Sequence, residues 1–309
     1  MTRKLENKIM YDIAEHAKTV MIKHHISFNA LDSDRDIILA YSNVCKKFVT
    51  VKPRRIVYSK ELEEKMNNKS FVKDNIAIAE DEAVPIIDLI RHFENLFVNG
   101  VDINNHLSTQ IFTSKTQDML FNTWNIKHIH LNKTEAMSKS AMKRNRADFI
   151  LFYVIDMDYV YFLDARQHPK GNEFSSYSFL KIAYNNGWMG KLSFMDIGKE
   201  YVPYSMKPQI TDDESLYKLY NDLHVNVSFD FEGHGFVSFG IVSTGDSGAN
   251  VLILNQMIKS IRSVLSNESD YLGFKPRSVD ACIGNVEFKV GNHIEQYLVD
   301  LDNNMTSLK

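Results

Sequence analysis

The sequence predicts an α+β fold with a helical N-terminal region, a central antiparallel sheet, and a C-terminal β-hairpin followed by one long helix. Three observations predict it. Apolar residues recur at helical spacing through the first hundred positions; from Trp124 the period changes to alternation and continuous apolar runs; both periods return beyond residue 220. With 309 residues, 44% of them hydrophobic, the chain can bury a substantial core. Its changes of pattern divide it into a helical region 1–110, a sheet domain 111–200 and an α+β domain 201–309.

Leu5, Ile9, Ile13, Ala17 and Val20 form the stripe of a first helix, with charges between them. Ser33 followed by Asp-Arg-Asp marks a second helix start, ahead of Ile37, Ile38 and Tyr41. Residues 48–58 read as extended, and Pro53 confines them to an edge or a break. In residues 80–100, Pro85 suits a first helical turn, Ile86, Ile90, Phe93 and Phe97 make one stripe, and Gly100 suits the end. The apolar run 149–155 reads as a central strand covered on both faces, with 159–165 as its hairpin partner and a helix within 173–188. A boundary is expected in 200–222, which holds two prolines and an acidic cluster. Val225, Val227, Phe229 and Phe231 then alternate with polar residues, and Glu-Gly-His-Gly turns the chain into a second strand. Leu254, Met257, Ile258, Ile261 and Val264 predict the long helix, strands follow near 285–291 and 293–301, and the tail 302–309 is expected to be disordered.

The net charge of -3 excludes a general nucleic-acid coating protein, so any polyanion must be met by a local patch. Cys45 and Cys282 lie far apart and match no metal or redox spacing, which suits two reduced thiols in the cytoplasm. The N-terminus mixes charges throughout and resembles no signal peptide, and no window approaches the ~18 apolar residues of a membrane span. A soluble cytoplasmic protein without a membrane partner is expected. No cofactor is expected either. The loop 243–251 lacks the Lys-Ser/Thr of a P-loop and the Rossmann spacing, and Asp246 or Ser247 reads as a helix cap.

The middle of the chain concentrates the chemistry. Along the strand 126–131, His128 and His130 share one face while Ile129 and Leu131 take the other. Six cations, Lys127, Lys133, Lys139, Lys143, Arg144 and Arg146, stand against the single acid Glu135. Antiparallel pairing of the following hairpin brings Arg144 and Arg146 towards Arg166 and His168. Imidazoles near neutral pKa can take the proton of a ribose 2′-hydroxyl and return one to the leaving oxygen, while guanidiniums stabilise charge on the phosphate. The same histidines could chelate a metal, with His168 or Asp164 as third ligand, or decorate a solvated strand face.

In Arg146, Asp148 and Phe149, the Asp-Met-Asp turn, the strand 160–165 and His168, the hairpin resembles the C-terminal half of RelE-type toxins, ribonucleases of the barnase, EndoU and colicin group. The resemblance covers roughly fifty residues. It implies a helix-backed antiparallel sheet and metal-independent RNA cleavage by a toxin or phage-defence effector. Ile150 and Pro169 stand where that family has arginines, and Phe174 near its later tyrosine, so His128 and His130 are expected to compensate from the neighbouring strand. The catalytic set is then His128, His130, His168, Arg146 and Arg166, with Lys127, Lys133, Lys139, Lys143 and Arg144 contacting RNA.

Two other readings follow from the residues. A non-catalytic module would hold a protein partner, an antitoxin among them, on its N-terminal helices and nucleic acid on the basic strand face. Near the C-terminus, Asp280, Glu287 and Lys289 imitate the array with which restriction-type nucleases hold Mg²⁺ and orient water, though an ordinary amphipathic strand explains them as well.

Overall fold

The computed structural model describes residues 2–71, 75–79, 82–114, 119–132, 149–167, 177–199, 212–218, 228–238, 248–267, 271–276, 285–290 and 295–300. Helices and strands both contribute, in an α+β fold. Two compact units divide the chain: residues 1–48, 110–116 and 245–309 form one, and 49–109 with 117–244 form the other. The division differs from blocks meeting at 110 and 200, because each unit is built from separated stretches of chain.

In the first unit, helix α1 (Thr2–Lys23) and helix α2 (Asp34–Lys47) share a core with a long helix at Gly248–Asn267. Ile9, Ile13, Ala17 and Val20 from α1 meet Ile37, Ile38, Tyr41 and Cys45 from α2, together with Leu254 and Ile261. Ser33 caps α2 by accepting from the Asp36 amide, so the expected start is the observed one. The same unit holds an antiparallel meander of Tyr271–Pro276, Asn285–Val290 and Glu295–Asp300.

The second unit is built around a four-stranded sheet. Its strands are β1 (Arg55–Tyr58), β4 (Lys127–His130), β5 (Phe149–Asp156) and β6 (Tyr159–Gln167), in the order β1-β6-β5-β4. As expected, β6, β5 and β4 pair antiparallel; β1, from an earlier stretch of the chain, adds to this sheet in parallel with β6. Pro53 just precedes β1 and lacks an N–H for a ladder, which suits the edge position β1 takes. The N-terminal region contains β1 within the stretch 48–58 read as extended. It also supplies the ribbon of β2 (Asn75–Ala79) and β3 (Glu82–Pro85) between its helices.

Helices lie on both faces of this sheet. Helix α3 (Lys60–Asn68) begins at Ser59, whose hydroxyl accepts from the Leu62 amide and donates to the Leu163 carbonyl, tying the helix start to β6. Helix α4 (Ile86–Val98) buries Leu89, Ile90, Phe93 and Phe97, and the Phe97 ring packs edge-on against Tyr153 and Phe162. Its end passes close to the strand leading into β1. Gly100, at φ +65°, closes the helix, and a Cβ there would sit 2.6 Å from the Pro53 nitrogen. A short helix, α5 (Met119–Trp124), leads into β4. After β6 comes α6 (Tyr177–Asn185), whose Phe179, Leu180 and Ala183 cover the opposite face through Ile150, Phe152 and Val154.

A further antiparallel sheet joins Phe194–Gly198, Ser228–Phe231 and His234–Ser238, in the order first, third, second. Its Phe229, Phe231 and Phe236 belong to the α6 core, so the expected C-terminal hairpin is part of the second unit and the long helix part of the first. Val225 and Val227 lie outside the described residues, as does the expected disordered tail. No helix among the described residues is long and apolar enough to cross a membrane.

Candidate functional site

Register across the sheet defines one polar row after another on the face that α6 covers. His128 of β4 stands opposite Phe152 of β5, which stands opposite Asp164 of β6; one step on, His130, Ile150 and Arg166 align in the same way. An irregularity between Phe152 and Tyr153 inserts Leu163 into β6, so Tyr161 and Tyr159 fall on the same face as Arg166. The two imidazoles have ring centroids 5.9 Å apart and nearly perpendicular planes. His128 is half-buried, and His130 is 5% exposed.

On β6 the chemistry centres on Asp164, a carboxylate in the middle of an apolar strand and 1% exposed. A buried carboxylate is tolerable only when paired and hydrogen-bonded. Lys65 of α3 donates to both of its oxygens at 2.7 and 2.8 Å, the Arg166 Nε donates at 2.6 Å, and the Ala165 amide at 2.9 Å. Arg166 also donates from Nη1 to the Ser178 hydroxyl at 2.7 Å and lies 4.2 Å over the Phe179 ring. Two cations around one carboxylate leave an excess of one positive charge, on heads that are about one-third exposed. Such a pair of preoriented donors can grip a phosphate.

Between the histidines and this cluster runs an apolar wall. Phe152 and Phe179 pack with centroids 4.3 Å apart, both essentially buried, and His128 leans on Phe152 at 6.1 Å. With strands about 4.8 Å apart, β4 and β6 stand roughly 10 Å from one another. The wall sets the two polar groups two strands apart.

Of the other residues singled out from sequence, Lys127 pairs with Tyr153, which places it on the opposite face from His128, with its ammonium 5.6 Å over the Phe121 ring. Lys133, Lys139, Lys143, Arg144, Arg146 and His168 lie outside the described residues. Glu287 and Lys289 sit two apart on the strand Asn285–Val290, and Asp280 lies outside the described residues. Among the described residues, no group of three or more His, Cys, Asp or Glu side chains could hold a metal ion. Lys65 is the residue that sequence reading missed. Its available sign was indirect: Asp164 within an apolar strand demands a cationic partner.

Comparison with known proteins finds no matching family model, no matching curated protein and no matching solved structure. The chemistry of the site is therefore the basis for a functional reading.

Proposed function

We propose that the protein is a metal-independent endoribonuclease in which His128 and His130 form the acid–base pair. The observation that carries this reading is the pair itself: two imidazoles on one face of an edge strand, 5.9 Å apart. Half-buried His128 takes the proton of the 2′-hydroxyl, the 2′-oxygen attacks phosphorus, and the bond to the 5′-oxygen breaks. His130, whose ring is buried in the free protein, has to open onto the bound substrate to return a proton to that leaving oxygen. The products are a 2′,3′-cyclic phosphate and a free 5′-hydroxyl. Arg166 and Lys65, beyond the aromatic wall, hold a neighbouring phosphate rather than the scissile one. A toxin or phage-defence role in the cytoplasm fits such an activity.

The test is cleavage of a labelled RNA in EDTA with analysis of the new ends. The reading requires EDTA-resistant cutting and cyclic phosphate termini, both lost in His128→Ala. Cutting abolished by EDTA would shift the activity to a bound metal and revive Asp280 and Glu287. A second reading, a nucleic-acid-binding module without catalysis, is favoured by the burial of His130 and by Asp164 neutralising much of the Lys65–Arg166 charge. Under that reading RNA is bound and left intact.

A further inference from the structure

The α6 face of the central sheet carries a second constellation at its other end, beside the β5–β6 turn. Tyr159 and Tyr161 are two apart on β6 and therefore share this face, while Val160 between them is buried on the opposite side. Their rings are 6.2 Å apart and tilted by only 31°. Behind them the buried Trp188, which follows α6, supports Tyr161 at 5.1 Å with its plane tilted by 60°. Cations frame the row. Arg55, opposite Tyr159 on the edge strand β1, lies 5.8 Å from its ring centroid and donates to its hydroxyl at 3.2 Å. Lys191 lies 5.9 Å from the Tyr161 ring.

We propose that this row is a stacking platform for an unpaired nucleic-acid strand, the place where substrate runs on beyond the histidine pair; the proposal rests on the ribonucleic-acid reading given above. The physical case has three parts. Tyr159 is 36% exposed on a strand that is otherwise mostly buried, so its ring is offered to solvent. Every base has a π-face, so parallel-leaning rings accept successive bases whatever their sequence. Charge then selects a polyanion over an apolar partner. Lys52 pairs with Asp158 and Lys191 with Asp156, and these pairs cancel. Arg55 spends its donor on the Tyr159 hydroxyl and shares Asp158 with Lys52 only at longer range, so most of its charge is available to a phosphate between stacked bases. Within a duplex each base face is already covered by its stacked neighbour, and only the two terminal pairs offer one, so the platform favours single strands.

The experiment uses the full chain and a fluorescent 2′-O-methyl oligouridylate of about twelve nucleotides, within the ~4–16 nucleotide range of single-strand grooves. The blocked 2′-position keeps binding separate from cleavage. Wild type should bind it more tightly than a duplex of the same length. Tyr159→Ala should lower affinity by about 5- to 100-fold, the equivalent of losing one base stack, and Tyr159→Phe should restore most of it. Arg55→Ala should weaken binding and make its salt dependence shallower by about one counterion. Tyr159 and Arg55 are exposed, so these variants keep the fold, which thermal unfolding verifies. Wild-type binding that is unchanged in Tyr159→Ala overturns the platform while the ribonuclease reading stands. Absence of any binding by wild type overturns the platform, and the cleavage assay then decides the ribonuclease reading by itself. Loss of binding in the tyrosine variant alongside intact RNA in the cleavage assay retains the platform and removes the catalysis.

Discussion

At the scale of single residues, the histidine pair has the sharpest consequences. Losing a general acid or base costs on the order of 10²-fold in rate, so His128→Ala and His130→Ala should each slow RNA cleavage by at least that factor, measured in single-turnover assays. The two variants should differ in stability: His130 is 5% exposed and packs in the interior, His128 is half-buried, and only the first should lower the unfolding midpoint appreciably. His16 provides a pH test. Burial lowers its pKa below the ordinary 6.5, so the folded protein resists a proton that the unfolded chain accepts. Stability is then fully present above pH 6.5 and declines as pH falls from there towards the depressed folded value. His16→Gln should flatten that decline, read as urea midpoints between pH 7.5 and 5.5. Met157, 78% exposed in the β5–β6 turn, holds a left-handed φ of 49°. Met157→Gly should stabilise the protein by about 0.5–1 kcal/mol in urea unfolding, because glycine adopts that φ without steric cost.

Among the elements, β6 carries the most. It pairs with β1 on one side and β5 on the other, and it presents Tyr159, Tyr161, Asp164 and Arg166 on one face. Asp164→Asn removes the charge that Lys65 and Arg166 share. Both cations are about one-third exposed and can rehydrate, so the loss should be about 1–2 kcal/mol, at the lower end for a buried hydrogen-bonded charge. Asp158→Ala, which breaks the exposed pair with Lys52, should change unfolding little. How legible these elements were in the sequence follows from the range of their interactions. The stripe of α4, the cap of α2 and the alternation of β4 are local, and the residues that specify them lie within one turn or one pleat. The partnership of β1 with β6, and of Lys65 with Asp164, joins stretches about a hundred residues apart. No periodicity in Arg55–Tyr58 distinguishes an edge strand of this sheet from any other extended segment. The same holds for the site: a shared face for His128 and His130 follows from strand period alone, whereas the Phe152–Phe179 wall arises from a helix that returns over the sheet.

For the whole molecule, net charge is -3, and the stretch from Lys127 to Arg146 runs against it with six cations to the single acid Glu135. Replacing Lys143, Arg144 and Arg146 by Ala should therefore weaken RNA binding without unfolding the protein, and should reduce the slope of log affinity against log salt by up to about three. An unchanged slope would remove that interval from the interface. The interleaving of the two units has another consequence, for the order in which the chain matures. The unit of residues 49–109 and 117–244 is nearly continuous, so its strands can all pair once β6 and the hairpin after it have left the ribosome. The unit that begins with α1 and α2 has to wait, because Leu254 and Ile261, which share its core, and the strand Tyr271–Pro276, which also packs against α1, are made roughly two hundred residues later. During synthesis the first residues made are thus among the last to be buried. Their apolar faces spend that interval exposed, the stage at which a growing chain depends on chaperones and on the speed of translation.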